Sequence, residues 1–142
     1  MIQTKFKHGM AKTQPMLTLK PQWVETEAEL AARLGVGYIR FYVADHKAPT
    51  LAQVHEFRKF IHSLPDETWV YLHCRGGSGR TTTFLMLYDI FKNGKTLSFS
   101  EMVNWHHQKG GKDLSNLPEK NSYQYQDAVN RVRLIQQIYD SK

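Results

Sequence analysis

The stretch HCRGGSGRTTTFLM, residues 73–86, constrains this chain more than any other. An apolar run, TWVYLH, leads into it, and Phe84, Leu87, Tyr88 and Phe91 lead out at helical spacing. Glycines at 76, 77 and 79 permit backbone angles and close approaches that side chains obstruct. A loop of this composition turns its N–H groups inward at the positive end of the following helix, which makes a site for an anion. Arg80 adds a planar fork that matches two phosphate oxygens. The chain's one cysteine, Cys74, stands at the lip of this loop. The same dipoles stabilise a thiolate, and a thiolate beside a bound phosphoryl group is placed to attack phosphorus. A buried structural cysteine has no need of such surroundings. The phosphate loop of nucleotide-binding proteins is excluded, because it needs glycine, four residues, then Gly-Lys-Ser/Thr. Here Cys74 takes the place of that first glycine and Arg80 the place of the lysine.

Local signals alternate around the loop. Thr26 and Glu29 form a capping-box pattern that predicts a short helix over Glu27–Leu34, closed by Gly35. GYIRFYVAD reads as a strand running into the polar loop DHKAPT. Thr50 and Gln53 start a second helix, with Val54, Phe57, Ile61 and Leu64 on one face and Pro65 closing it. TWVYLH suits a buried parallel strand. The helix after the glycine loop ends at Asn93-Gly94; Ser98 and Glu101 start another, and Gly110-Gly111 stop it. A last helix runs from about Tyr123 to Tyr139, with Ala128, Val132, Ile135 and Tyr139 on one stripe. The first 20 residues read as a basic, extended or irregular lead-in. Strands alternating with helices predict an α/β fold, a mostly parallel central sheet flanked by helices, and 142 residues fit one domain.

A net charge of +6 and a pI near 9.5 favour anionic partners: nucleic acid, acidic headgroups or phosphorylated metabolites. No nucleic-acid motif is present, and composition alone does not choose among these partners. No apolar run approaches the roughly 20 residues of a membrane span, so stable membrane insertion is not expected. The basic start MIQTKFKHGMAKTQPMLTLK lacks the apolar core of a signal peptide. A single cysteine excludes an internal disulfide and a cysteine-rich zinc site, and it fits a reducing compartment such as the cytoplasm. In WHHQKGGK, residues 105–112, the adjacent histidines project to different sides of a helix with nothing to complete a ligand set. No metal or other cofactor is expected. Oligomeric state has no signature here.

Cys74, five residues, Arg80 and Thr81, preceded by His73, resemble the signature of the cysteine-dependent protein tyrosine phosphatase superfamily. HCRGGSGRTT with DH…PT upstream is most similar to the tyrosine-phosphatase-like inositol phosphatases, or cysteine phytases. The likeness runs from about Tyr38 to Gly111, and more loosely into the last helix. It implies correspondence to the later half of a typical member, with a tyrosine or dual-specificity phosphatase-like fold. It also implies metal-independent phosphomonoester hydrolysis, with inositol polyphosphates as substrates. Cys74 would form a phosphocysteine, Arg80 would bind the equatorial oxygens, and Thr81 would donate to the departing thiolate. Gly76, Gly77, Ser78 and Gly79 would line the phosphate cradle, and His73 would order the loop. The general acid belongs on a loop after an upstream strand, where Asp45 stands. Its competitor Asp66 lies at the far end of the incoming strand, about 20 Å from the thiol.

Arg75, directly after the nucleophile, would favour a substrate carrying several phosphates, joined by His46, Lys47, Lys109 and Lys112. The resemblance also implies that residues 105–112 correspond to the place where phosphatases carry a loop that positions the attacking water, where Gln108 or Lys109 would border the pocket. Alternative functions are protein-tyrosine or phosphoinositide hydrolysis, a non-catalytic phosphate-binding module, and rhodanese-like sulfur transfer. The last would normally have one residue fewer between the cysteine and the arginine.

Overall fold

The computed structural model describes residues 2–7, 10–15 and 20–141, the first two stretches by backbone alone. In chain order the elements are β1 (Ile2–Lys7), β2 (Met10–Pro15), α1 (Glu27–Arg33), α2 (Leu51–Ser63), α3 (Gly79–Asn93), α4 (Phe99–Gln108) and α5 (Tyr125–Asp140). They fall into two compact units, residues 1–40 and 41–142.

In the first unit β1 and β2 pair antiparallel, Ile2 opposite Pro15 and Lys7 opposite Met10. Where the sequence suggests an extended or irregular lead-in, the backbone therefore forms a hairpin; residues 8–9 and 16–19 lie outside the described residues. α1 starts as its capping box predicts. Thr26 Oγ1 accepts the Glu29 N–H at 3.2 Å, and the Glu29 carboxylate accepts the Thr26 N–H at 2.6 Å.

The second unit is built around α3, whose Thr82, Thr83, Phe84, Met86, Leu87, Ile90 and Phe91 are all buried. A helix buried around most of its circumference needs neighbours on several sides. α2, α4 and α5 supply them, through Val54, Phe57 and Ile61, then Met102 and Val103, then Leu134 and Ile135. Phe57 and Phe84 meet edge to face at 4.8 Å, with Phe41 against both rings. The capping boxes of Thr50 with Gln53 and Ser98 with Glu101 both form. α3 ends at Gly94, whose φ of 65° favours glycine. No helix among the described residues is long and apolar enough to cross a membrane.

The expected parallel central sheet does not form. Among the described residues, strands are confined to the β1–β2 hairpin, and the second unit is helical. GYIRFYVAD and TWVYLH, the two expected parallel strands, join no ladder. A strand needs a neighbour that takes up its N–H and C=O groups, and β-rich composition reports only a fit to a half-buried extended surface. Phe41, Val43 and Leu72 use that fit to pack on the helical core. The Val43 N–H closes locally onto the Phe41 carbonyl at 3.1 Å. From 68 to 74 burial alternates residue by residue, which leaves Trp69 86% and Tyr71 73% exposed.

Candidate active site

The site is built where the extended segment ending at Cys74 turns into α3. Gly77 adopts φ 61°, and its N–H reaches the Cys74 carbonyl at 3.4 Å. Ser78 precedes α3 without making a side-chain cap, so its own side chain does not take up the first-turn N–H groups. The Thr82 and Thr83 hydroxyls donate to the carbonyls of Ser78 and Gly79 at 3.2 and 2.8 Å, which stiffens the turn. Thr82 Oγ1 also accepts the Lys112 N–H at 2.8 Å. A side chain at Gly111 would put its Cβ 2.7 Å from the His106 carbonyl oxygen and 3.2 Å from Thr82, so the segment after α4 packs tightly against the base of this turn.

The Cys74 thiol is half-buried and its pKa is lowered to about 6. Burial alone would raise it; the Thr81 hydroxyl and the N–H groups of Thr81, Gly76 and Ser78 together outweigh that effect. Thr81 Oγ1 is itself buried and has no conventional hydrogen-bond partner, which leaves its proton for the sulfur. A lowered thiol pKa makes the thiolate dominant above pH 7 and depletes it as pH falls through about 6. Alkylation of Cys74 by iodoacetamide is therefore expected to follow a titration near pH 6, not near the ordinary value of about 8.5. Thr81→Ala should shift that titration upward; a wild-type midpoint above 8 would contradict the assignment.

Arg80 links the turn to the segment before α2. Its Nη1 donates to the Val43 carbonyl and its Nη2 to Asp45 Oδ1, both at 3.0 Å. Asp45 also accepts the N–H of His46 at 3.1 Å. His46 has φ 62°, a left-handed conformation uncommon outside glycine, and its Nε2 lies 3.6 Å from Asp45 Oδ2. Asp66 stands instead in the exposed turn after α2.

The other residues singled out from the sequence have the following surroundings. Arg75 is exposed directly after Cys74. Lys47 is held by Asp127 of α5 at 2.9 Å. Lys109 sits at the end of α4, its Nζ 5.9 Å from the Trp105 ring. His73 is exposed and stacks on Tyr71 at 5.3 Å. In WHHQKGGK, His106 is buried with Nε2 2.8 Å from Asp89 Oδ2, and His107 Nδ1 lies 3.3 Å from the Gly111 carbonyl oxygen.

One site residue has no counterpart in the sequence reading. Arg131 of α5 is only 5% exposed, donates from Nη2 to the His46 carbonyl at 2.6 Å, and places Nη1 2.9 Å from where a Gly79 Cβ would stand. The available signal was an arginine set between Ala128, Val132 and Ile135, one helical turn after Asp127.

A family model for PTP-like phytases, described by inositol hexakisphosphate, matches residues 3–92, which include Asp45 and the whole Cys74–Thr81 turn. The effector protein hopD2 of Pseudomonas syringae pv. tomato is 32% identical over 94 residues, covering 65% of this chain and 20% of that protein. A PTP-like phytase from Bdellovibrio bacteriovorus superposes with a TM-score of 0.79 at 33% identity, over 90% of this chain and 50% of that one. The tandemly repeated PTP-like phytase of Mitsuokella multacida gives a TM-score of 0.83 at 32% identity, over 97% of this chain and 24% of that one. The chain thus spans half or less of each of these relatives. Matched by the family model over more than half its length, the chain belongs to the PTP-like phytase family.

Proposed function

We propose that the chain hydrolyses phosphomonoesters through a phosphocysteine, with inositol polyphosphates as substrates. The observation that carries this reading is a thiol with a pKa near 6, at the head of a turn whose arginine also holds a carboxyl group. Cys74 thiolate attacks phosphorus while the bond from phosphorus to the leaving oxygen breaks. Asp45, protonated, gives its proton to that oxygen. Arg80 and the turn's N–H groups stabilise charge on the equatorial oxygens. In the second step a water attacks the phosphocysteine, Asp45 takes the water's proton, and the S–P bond breaks. Thr81 donates to the departing thiolate, and phosphate is released. Sulfur transfer would leave the acid at Asp45 without a role.

Substrate choice rests on Arg75. Because Lys47 is paired with Asp127, Arg75 is the uncommitted cation beside the nucleophile among the residues singled out, suited to a second phosphate on the same ring. Phosphate release from inositol hexakisphosphate and from a phosphotyrosyl peptide tests this directly. The expected kcat/KM favours the hexakisphosphate by about tenfold or more, the scale of one hydrogen bond to a charged group. Arg75→Ala should erase most of that preference. Faster hydrolysis of the peptide would overturn the inositol assignment.

A further inference from the structure

The two loops that meet at the site are held together from two sides, and the two grips differ in kind. From α3, Arg80 reaches the Val43 carbonyl and the Asp45 carboxylate. These bonds use the same fork that a phosphate needs, so a substrate competes for at least one of them. From α5, Arg131 reaches the His46 carbonyl, a group that takes no part in the chemistry. Around it, Asp127 holds Lys47 at 2.9 Å, Gln124 Nε2 approaches His46 Nε2 at 3.5 Å, and Tyr123 meets the His46 ring edge-on at 6.1 Å. The turn they grip contains the left-handed His46, a conformation that persists only where surroundings impose it.

Arg131 is also a costly residue to bury for packing alone. It is 5% exposed, its Nε has no hydrogen-bond partner, and an apolar side chain would fill the same space without a desolvation penalty. Burial lowers its pKa. The neighbouring Asp127 favours its charge, Arg80 opposes it and Cys74 favours it, so the guanidinium lies within electrostatic reach of the thiol and of Arg80. Gly79 leaves it room: a Cβ there would lie 2.9 Å from Nη1 and 3.3 Å from the central guanidinium carbon.

We infer that Arg131 is a positioning residue for the general acid, the anchor that keeps the Asp45 turn in place over the phosphate-binding turn when substrate occupies the fork of Arg80. This rests on the phosphocysteine reading above. Its signature is a dependence on the leaving group. An inositol alkoxide cannot depart without a proton, whereas p-nitrophenolate can. The kcat/KM values of the full chain on inositol hexakisphosphate and p-nitrophenyl phosphate, which report formation of the phosphocysteine, separate the two cases.

For Arg131→Met the expected fall is on the order of tenfold to a hundredfold on the hexakisphosphate, at or below the lower end of what a general acid contributes, and no more than about threefold on p-nitrophenyl phosphate. Asp45→Asn should show the same asymmetry more strongly. Arg131→Lys, which keeps the charge and loses the fork, should show it more weakly. If Arg131→Met gives no cooperative thermal transition, Arg131→Lys carries the comparison. Equal losses on both substrates, or no loss on either, would overturn the inference. Turnover surviving in Cys74→Ser, or a symmetric loss in Asp45→Asn, would overturn the phosphocysteine reading instead.

Discussion

Replacing Cys74 with serine is expected to lower kcat by at least about 10⁴-fold, because removal of an activated nucleophile typically eliminates nearly all of the chemical step. The Cys74 thiol is already a thiolate at neutral pH, held by the Thr81 hydroxyl and by the N–H groups of Thr81, Gly76 and Ser78. A serine hydroxyl in the same place, with an ordinary pKa far above that of the thiol, stays protonated. The binding turn itself should persist, since the conformation of Gly77 and the bonds from the Thr82 and Thr83 hydroxyls to the Ser78 and Gly79 carbonyls do not involve the sulfur. The variant should therefore bind inositol hexakisphosphate about as tightly as the wild type, as measured by calorimetry. Loss of binding together with turnover would mean that the substitution disrupted the turn. Retained turnover would remove Cys74 from the mechanism.

Arg80→Lys is expected to lower kcat by about 10³-fold, although it conserves the charge. Loss of one donor to a developing oxyanion typically costs about 10²–10³-fold. Here the same guanidinium also bonds the Val43 carbonyl and Asp45, each at 3.0 Å. A lysine offers a single point of charge and cannot serve two directed acceptors and a phosphate at once. The loss should appear mainly in kcat, together with weaker product inhibition by inorganic phosphate. A loss confined to KM would assign Arg80 to ground-state binding alone.

Legibility of the fold follows the range of each interaction. The capping boxes Thr26–Glu29, Thr50–Gln53 and Ser98–Glu101 exchange hydrogen bonds within one turn, so three residues of sequence contain the whole signal. The stops at Gly94 and Gly110 are similarly local, a matter of positive φ. Strand pairing is not local. TWVYLH has the composition and the alternating burial of a strand, but whether it joins a ladder depends on another stretch of backbone that its own residues do not specify. In the opposite direction, IQTKFK and MAKTQP alternate too weakly to suggest a hairpin, yet they pair in register from Ile2–Pro15 to Lys7–Met10.

The site divides along the same line. Cys74, Arg80 and Thr81 of the candidate site can be read together because they lie in one continuous turn, and Arg80 joins Asp45 of DHKAPT to it. Contacts between distant segments are hidden. Lys47 looks like a free cation until Asp127 is found beside it. Arg131 falls in a helix whose apolar stripe is read from the sequence through Ala128, Val132, Ile135 and Tyr139, whereas the buried positions are Arg131, Leu134 and Ile135. A rotation of that face by one position is enough to turn a surface arginine into a site residue.

The covalent intermediate offers the most direct measurement. Rapid acid quench of wild-type protein during turnover of inositol hexakisphosphate, followed by peptide mass analysis, should find one phosphoryl group on the peptide containing Cys74. It should be absent in Cys74→Ser and should accumulate in Asp45→Asn with p-nitrophenyl phosphate, where water activation is lost. Sustained phosphate release with no phosphoryl group on Cys74 at any quench time would contradict the mechanism.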